Sequence, residues 1–160
     1  MGSVQNQASH TRRTLGFLLR DSSRLMRRRF VLHAREAELP LNLSEASLLS
    51  QVSHEPGISQ ARVANLLDME TISVVRLVDS LEQANLLQRR PHASDRRVWT
   101  LWLTSAGESA VTDIRRINDK VRSEALAEIS SGERERLLDT LMKLRTNLLH
   151  AAEHGHSEAA

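Results

Sequence analysis

The chain has 160 residues with 22 basic and 20 acidic side chains, and formally carries +2 at neutral pH. That length fits one small domain with helical extensions. The absence of cysteine excludes disulfides, thiolate zinc sites and thiol redox sensing. No apolar run approaches the roughly 18 residues a membrane span needs, so no membrane partner is expected. The opening MGSVQNQASHTRR has no apolar segment after its basic residues, so it does not read as a secretory signal and a cytoplasmic location is expected.

The charge is unevenly placed. Residues 12–38 hold eight Arg against Asp21, Glu36 and Glu38, a local +5, whereas residues 105–160 hold ten acidic and eight basic side chains. Twenty of the 22 basic residues are Arg. So general a bias suits base composition better than a dedicated binding surface.

From Thr14 to about Arg35 the apolar spacing is helical. Leu15, Leu18, Leu19, Leu25, Met26 and Phe30 form one stripe, interrupted by Ser22 and continued by His33. A stripe this long needs a partner, and a second copy of the chain would supply one. Pro40 breaks the helix, and Ser44 is expected to cap a following helix through Val52, with Leu48, Leu49 and Val52 inward. His54-Glu55-Pro56-Gly57 reads as a turn.

Ser59 is expected to cap the next helix, with Ile58 and Val63 forming a hydrophobic staple around it. Asp68-Met69-Glu70 breaks that helix, and another runs from about Thr71 to Ala84. Val74, Leu77, Val78 and Leu81 share its inner side, and Ile72, Ser73, Arg76, Ser80 and Gln83 lie roughly opposite. Asn85 stands where a left-handed residue ends a helix. Leu87–Arg90 and Val98–Leu103 read as strands. Between them PHASDRR is too long for a tight hairpin turn and should project as a wing. In the second strand Leu101 and Leu103 share a face with Trp99. Trp102 faces the other way, either exposed or covered by another helix.

Thr104 is expected to cap a long helix whose stripe is Ala106, Ala110, Ile114, Ile117, Val121 and Ala125. Ser130 and Glu133 suggest a capping box for a last helix carrying Leu137, Leu138, Leu141, Leu144 and Leu148 to about His150, before a polar tail. No phosphate-cradling glycine loop, nucleophile elbow or HExxH motif is present, so no enzyme activity and no cofactor are expected. His150, His154 and His156 are the one candidate metal cluster, although His in a terminal tail is usually solvated.

A helix, a break, a second helix and a wing together make a DNA-reading arrangement. Such a helix fits the major groove, about 12 Å wide, where Arg76 can reach guanine bidentately, Thr71 and Ser73 can bond bases or phosphates, and Ile72 can meet a thymine methyl. An Arg at the tip of a wing, Arg96 or Arg97, can enter the adjacent minor groove.

The segments SVVRLVDSLEQANLLQRR, ASDRR and LTSAG resemble the MarR family of winged helix-turn-helix transcriptional regulators, in wording the SlyA-like branch, over about residues 12–150. Departures are Asn85 where the family often has Gly, and Ile72 where the branch often has Pro. The resemblance implies a mainly α fold with a small β-wing, built as a winged helix-turn-helix domain plus long N- and C-terminal dimerisation helices. The expected boundaries are a dimerisation helix over 12–38, the winged domain over 44–104, and C-terminal helices over 105–150.

It further implies a homodimer on a pseudo-palindromic operator in double-stranded DNA. The expected contacts are Ser59, Thr71, Ile72, Ser73, Arg76, Asp95, Arg96 and Arg97, with Asp95 bracing the wing. A repressor of neighbouring genes, released by a small aromatic or phenolic effector, is the expected function. The effector would be bound near Ser22, Met26, His33, Trp99 and Trp102, with an Arg from residues 20–29 available to pair an anion. The alternatives are a metal-responsive regulator using the His tail and a winged-helix protein-interaction module that does not bind DNA.

Overall fold

The long leucine stripe of the N-terminal segment sits on a helix, α1 (Leu15–Glu36), that buries only its last turns, through Phe30, His33 and Ala34. Leu15, Leu18, Leu19, Leu25 and Met26 stay exposed. The computed structural model describes residues 14–92, 94–95 and 98–157, with side chains as far as residue 151. The chain divides into two compact units, Met1–Arg122 and Ser123–Ala160.

Within the first unit, α2 (Leu43–His54) begins at Asn42, not at Ser44 as the sequence suggested. The Asn42 carboxamide oxygen accepts the backbone N–H groups of Ser44 and Glu45 at 2.9 and 3.0 Å, and Glu45 accepts the N–H of Asn42 at 2.9 Å. This reciprocal box satisfies several of the donors a helix start leaves unpaired. Ser44, two residues further on, has no such role. Leu48, Leu49 and Val52 are buried as expected.

A two-residue strand, β1 (Ile58–Ser59), then runs directly into α3 (Gln60–Leu67), capped by the Ser59 hydroxyl, which accepts the N–H of Arg62 at 3.2 Å. Ile58 and Val63 are both buried, as a staple requires. After the break comes α4 (Thr71–Gln83), with Val74, Val78 and Leu81 in the core and Leu77 packed beside it. Helices α1, α3 and α4 all end in the same way. A non-glycine residue with positive φ (Glu38, Asp68 or Asn85) is followed by Leu39, Met69 or Leu86, whose N–H bonds back to Ala34, Ala64 or Leu81 at 2.9 Å.

The hairpin of β2 (Leu87–Pro91) and β3 (Trp99–Leu103) is antiparallel, and β1 adds to the far side of β3, giving the order β1-β3-β2. The register pairs Arg89 with Leu101, Pro91 with Trp99 and Ile58 with Leu101. Trp102, expected to be exposed or covered by a helix, is half-buried. Its ring lies against Gly57, where an added Cβ would come 2.9 Å from Cζ2, and the Arg90 guanidinium sits 4.7 Å from the ring centroid. Its indole N–H donates to Thr100 Oγ1 at 2.9 Å.

The long helix α5 (Ser105–Ala125) is capped by Thr104, whose hydroxyl oxygen accepts the N–H of Gly107 at 3.0 Å. Its buried stripe is Gly107, Val111, Ile114, Ile117 and Val121, whereas Ala106 and Ala125, expected in that stripe, are exposed. Gly107 is required by close approach, because a Cβ there would fall 1.9 Å from the Leu86 carbonyl oxygen. The core of this unit gathers residues from α1 through α5.

The second unit is dominated by α6 (Ser131–Ser157). The helix runs past His150 into the segment that composition marks as a tail. The Glu133 carboxylate accepts both the N–H of Ser130 at 3.0 Å and its hydroxyl at 2.5 Å. This is half of the expected box, because the hydroxyl donates to Glu133. Leu137, Leu138, Met142, Leu148 and Leu149 are exposed, and Leu141 and Leu144 are half-buried.

Candidate nucleic-acid interface

Helix α4 buries one side and leaves the other open because its apolar residues recur at three- and four-residue steps. On the open side Thr71, Ile72 and Arg76 are exposed, with Ser73 half-buried between them and the core. Ile72 leaves 56% of its surface exposed, an unusual expense for an isoleucine with no apolar cover. Ser59 stands at the start of α3, its hydroxyl engaged in capping.

Arg76 and Asp79 are three residues apart, a spacing at which they would ordinarily pair. Asp79 bonds Arg89 of β2 instead, Nη2 to Oδ1 at 2.7 Å. Among the described residues Arg76 makes no ion pair or hydrogen bond through its side chain. Ser80, one turn further along, donates to Glu45 of α2 at 2.9 Å. A recess of about 550 Å³ opens between the two helices, bordered by Asn42 and Ser44 on one side and Ser73 and Arg76 on the other.

At the wing, the ladder continues beyond the strands through His92 N–H to the Val98 carbonyl at 2.8 Å. The Asp95 carbonyl accepts the N–H of Val98 at 3.0 Å, a turn that narrows the tip. Asp95 is exposed. Arg96 and Arg97 lie outside the described residues.

The five residues expected around an effector lie on two elements, α1 and β3. Ser22 and Met26 are exposed on α1, and His33 is buried with Nδ1 2.8 Å from Glu36 Oε2. Trp99 is exposed on β3, and Trp102 is packed as described above. A recess of about 620 Å³ is bordered by Arg20, Ser23, Arg24, Arg27 and Arg28 of α1, with Val31 and Leu43. Four of these are among the five arginines of residues 20–29 considered as anion partners. Arg24 is paired with Asp21 at 2.5 Å.

No three His, Asp or Glu side chains converge as a metal-binding group among the described residues. The side chains of His154 and His156 fall outside them. Among the described residues no helix is long and apolar enough to cross a membrane.

Two features carry no signal in the sequence. Arg89 reads there as an ordinary strand residue, and its partners Asp79 and Glu82 are visible only as surface acids. The tie from Glu45 to Ser80 has no local mark, because 35 residues separate them.

An exposed helix following a short helix and a sharp break, flanked by a three-stranded sheet with an extended hairpin, defines a winged helix-turn-helix protein. The family model described as MarR family matches residues 41–99, the stretch from the start of α2 into β3. Solved structures extend the likeness along most of the chain. The transcriptional regulator SlyA is 26% identical with a TM-score of 0.70, covering 82% of this chain and 93% of that one. MarR from E. coli, in its apo form, is 17% identical with a TM-score of 0.72, covering 82% and 96%. A third structure concerns regulation of DNA binding of Bordetella bronchiseptica BpsR by 6-hydroxynicotinic acid. It is 18% identical with a TM-score of 0.70, covering 84% and 94%. The likeness to the MarR family thus rests on a family model over residues 41–99 and on a shared winged-helix fold along most of the chain.

Proposed function

We propose that the chain is a homodimeric, sequence-specific DNA-binding regulator that represses neighbouring genes and is released by a small aromatic or phenolic ligand. The observation that carries the DNA-reading part is Arg76, exposed on α4 while the nearest acidic residue on its helix is occupied by Arg89. A guanidinium so held is free to bond guanine O6 and N7 in the major groove. Thr71, Ile72 and Ser73, one turn towards the helix start, are assigned to neighbouring bases or phosphates, and Ser59 to phosphate. Arg96 or Arg97 is assigned to the adjacent minor groove, with Asp95 bracing the wing.

The dimer is supported by the unpartnered apolar surface of α1 and, separately, by that of α6. A second copy would cover such surfaces and space two recognition helices about one helical turn of DNA apart. Residues 12–38 and 105–150 are accordingly assigned to dimerisation, and 44–104 to DNA.

DNA binding by BpsR is regulated by 6-hydroxynicotinic acid, a hydroxylated aromatic acid, which supports an effector of that class here. Ser22, Met26, His33, Trp99 and Trp102 are retained as its proposed contacts, and the arginine-bordered recess as a partner for its carboxylate. Such a ligand weakens operator binding only through its differential affinity for the two spacings of the dimer.

The test is fluorescence anisotropy of labelled duplexes from the DNA upstream of the gene, titrated with the chain at several salt concentrations. Salt-dependent binding to one duplex, weakened in Arg76→Ala, is the expected result. Equal affinity of the wild type and Arg76→Ala for every duplex would overturn the assignment.

A further inference from the structure

Among the described residues, Arg89 is the most heavily engaged arginine of the winged domain. It sits on β2 at the root of the wing with 19% of its side chain exposed. Nη2 donates to Asp79 Oδ1 at 2.7 Å and to the Val75 carbonyl at 3.3 Å. Nη1 donates to the Glu82 carboxylate, and the backbone N–H of Arg89 reaches the same carboxylate at 2.7 Å. One guanidinium therefore holds two side chains and one carbonyl of α4. A lysine ammonium, a point charge without a planar fork, cannot satisfy three acceptors in this spread.

We propose that Arg89 is a positioning residue for DNA recognition, which occupies Asp79 so that Arg76 stays free and fixes α4 against the wing. The inference rests on the DNA-binding reading above. Its physical basis is competition. Asp79 lies three residues after Arg76 on the same helix, within reach of its guanidinium. Without Arg89, Asp79 draws Arg76 along the helix surface and away from the base edge. Two uncompensated carboxylates, Asp79 and Glu82, then also stand on the helix that must approach phosphates. Arg89 thus sets specificity without touching DNA.

A duplex is first selected from a random-sequence library by the wild-type chain, and affinities for it are measured by anisotropy. Thermal unfolding of each variant is recorded alongside. Arg89→Gln is expected to weaken binding by about tenfold, and adding Asp79→Asn to recover most of that loss, a coupling within the usual range for neighbouring residues. Discrimination at the base pair identified by Arg76→Ala should fall in Arg89→Gln and return in the double variant. A purely structural role predicts no such rescue. Asp79→Asn alone should bind at least as tightly as the wild type. Arg89→Lys, which keeps the charge and the aliphatic stem, should fall between wild type and Arg89→Gln.

A folded Arg89→Gln with wild-type affinity, or a loss that Asp79→Asn does not relieve, overturns the proposal. If Arg89→Gln fails to fold, Asp79→Asn decides: weakened binding there shows that Asp79 does not compete for Arg76. Failure of the wild type to select any duplex refutes the DNA-binding reading itself. That result is distinct from selection followed by absent rescue.

Discussion

Glu45 at the start of α2 accepts the hydroxyl of Ser80 on α4 at 2.9 Å, while its other carboxylate oxygen caps its own helix at Asn42. One side chain therefore ties the first helix of the winged domain to the helix assigned to DNA. Arg89 performs the matching task from the wing side, so α4 is held from two directions. Its first turn, which carries Ile72 and Ser73, is left uncommitted by these ties.

The capping of α2 gives a paired prediction. Asn42→Ala should destabilise the first unit by about 1 kcal/mol, and Ser44→Ala should change stability far less, because only Asn42 accepts the free N–H groups. Urea unfolding of the two variants checks this. Equal losses would mean that the cap is misassigned.

Gly107 should tolerate no side chain. A methyl group placed 1.9 Å from the Leu86 carbonyl oxygen must displace backbone, not the end of a flexible side chain. Gly107→Ala is expected to lose at least the upper end of the roughly 1–3 kcal/mol usual for overpacking. Differential scanning calorimetry would detect the lowered melting temperature, and an unchanged one would contradict the close approach.

The proposed DNA binding by the wing makes a prediction about salt. Arg96→Ala should weaken operator binding and reduce the slope of log K against log salt by roughly one phosphate contact. Arg76→Ala should instead cost about 1–3 kcal/mol of affinity and relax specificity at one base pair. Titrations at a series of salt concentrations on matched and substituted duplexes separate the two behaviours.

Glu133 predicts a local acid sensitivity. The Ser130 hydroxyl and then its N–H stabilise the carboxylate and hold Glu133 below the usual carboxylate range. A depressed pKa in the folded chain contributes stability above the unfolded value, and that stability is lost as pH falls through the folded pKa. Protection factors of the amides in the first turn of α6, taken relative to intrinsic exchange at each pH, should therefore fall on acidification, and Glu133→Gln should remove that pH dependence. Protection factors insensitive to acid in the wild type would count against it.

Much of this architecture is legible in the sequence because it rests on periodicity. The apolar steps of α4, the β-branched and aromatic strand residues, and the Ser59 and Thr104 caps are all local signals. The features that escape depend on distance or on close competition. Asn42 and Ser44 are both good caps, and Glu45 three residues after Asn42 is the available discriminator. A two-residue strand such as β1 has no pattern of its own and exists only through pairing with β3. Trp102 is covered by a glycine and an arginine that lie far from it in sequence. The α5 stripe expected from periodicity drifts because Gly107 has no side chain to register as apolar, although the backbone of Leu86 packs directly on it.

The site is legible to a lesser degree. Arg76 and its neighbours follow from helical geometry. The reason Arg76 is unpaired, a guanidinium arriving from another element, does not. The recess bordered by arginines of α1 has no mark in the sequence beyond the density of Arg in residues 20–29.

Left-handed backbone at Glu38, Asp68 and Asn85 leaves the protein with unused thermodynamic headroom. Each position tolerates glycine better than the residue it holds, because a Cβ is disfavoured there. Three single glycine replacements should each raise stability by about 0.5–1 kcal/mol and combine nearly additively, being spread over three helix ends. A chain that stops three helices without glycine is therefore an accommodating starting point for engineered operator specificity, since stabilisation far from Arg76 can offset what new base contacts cost.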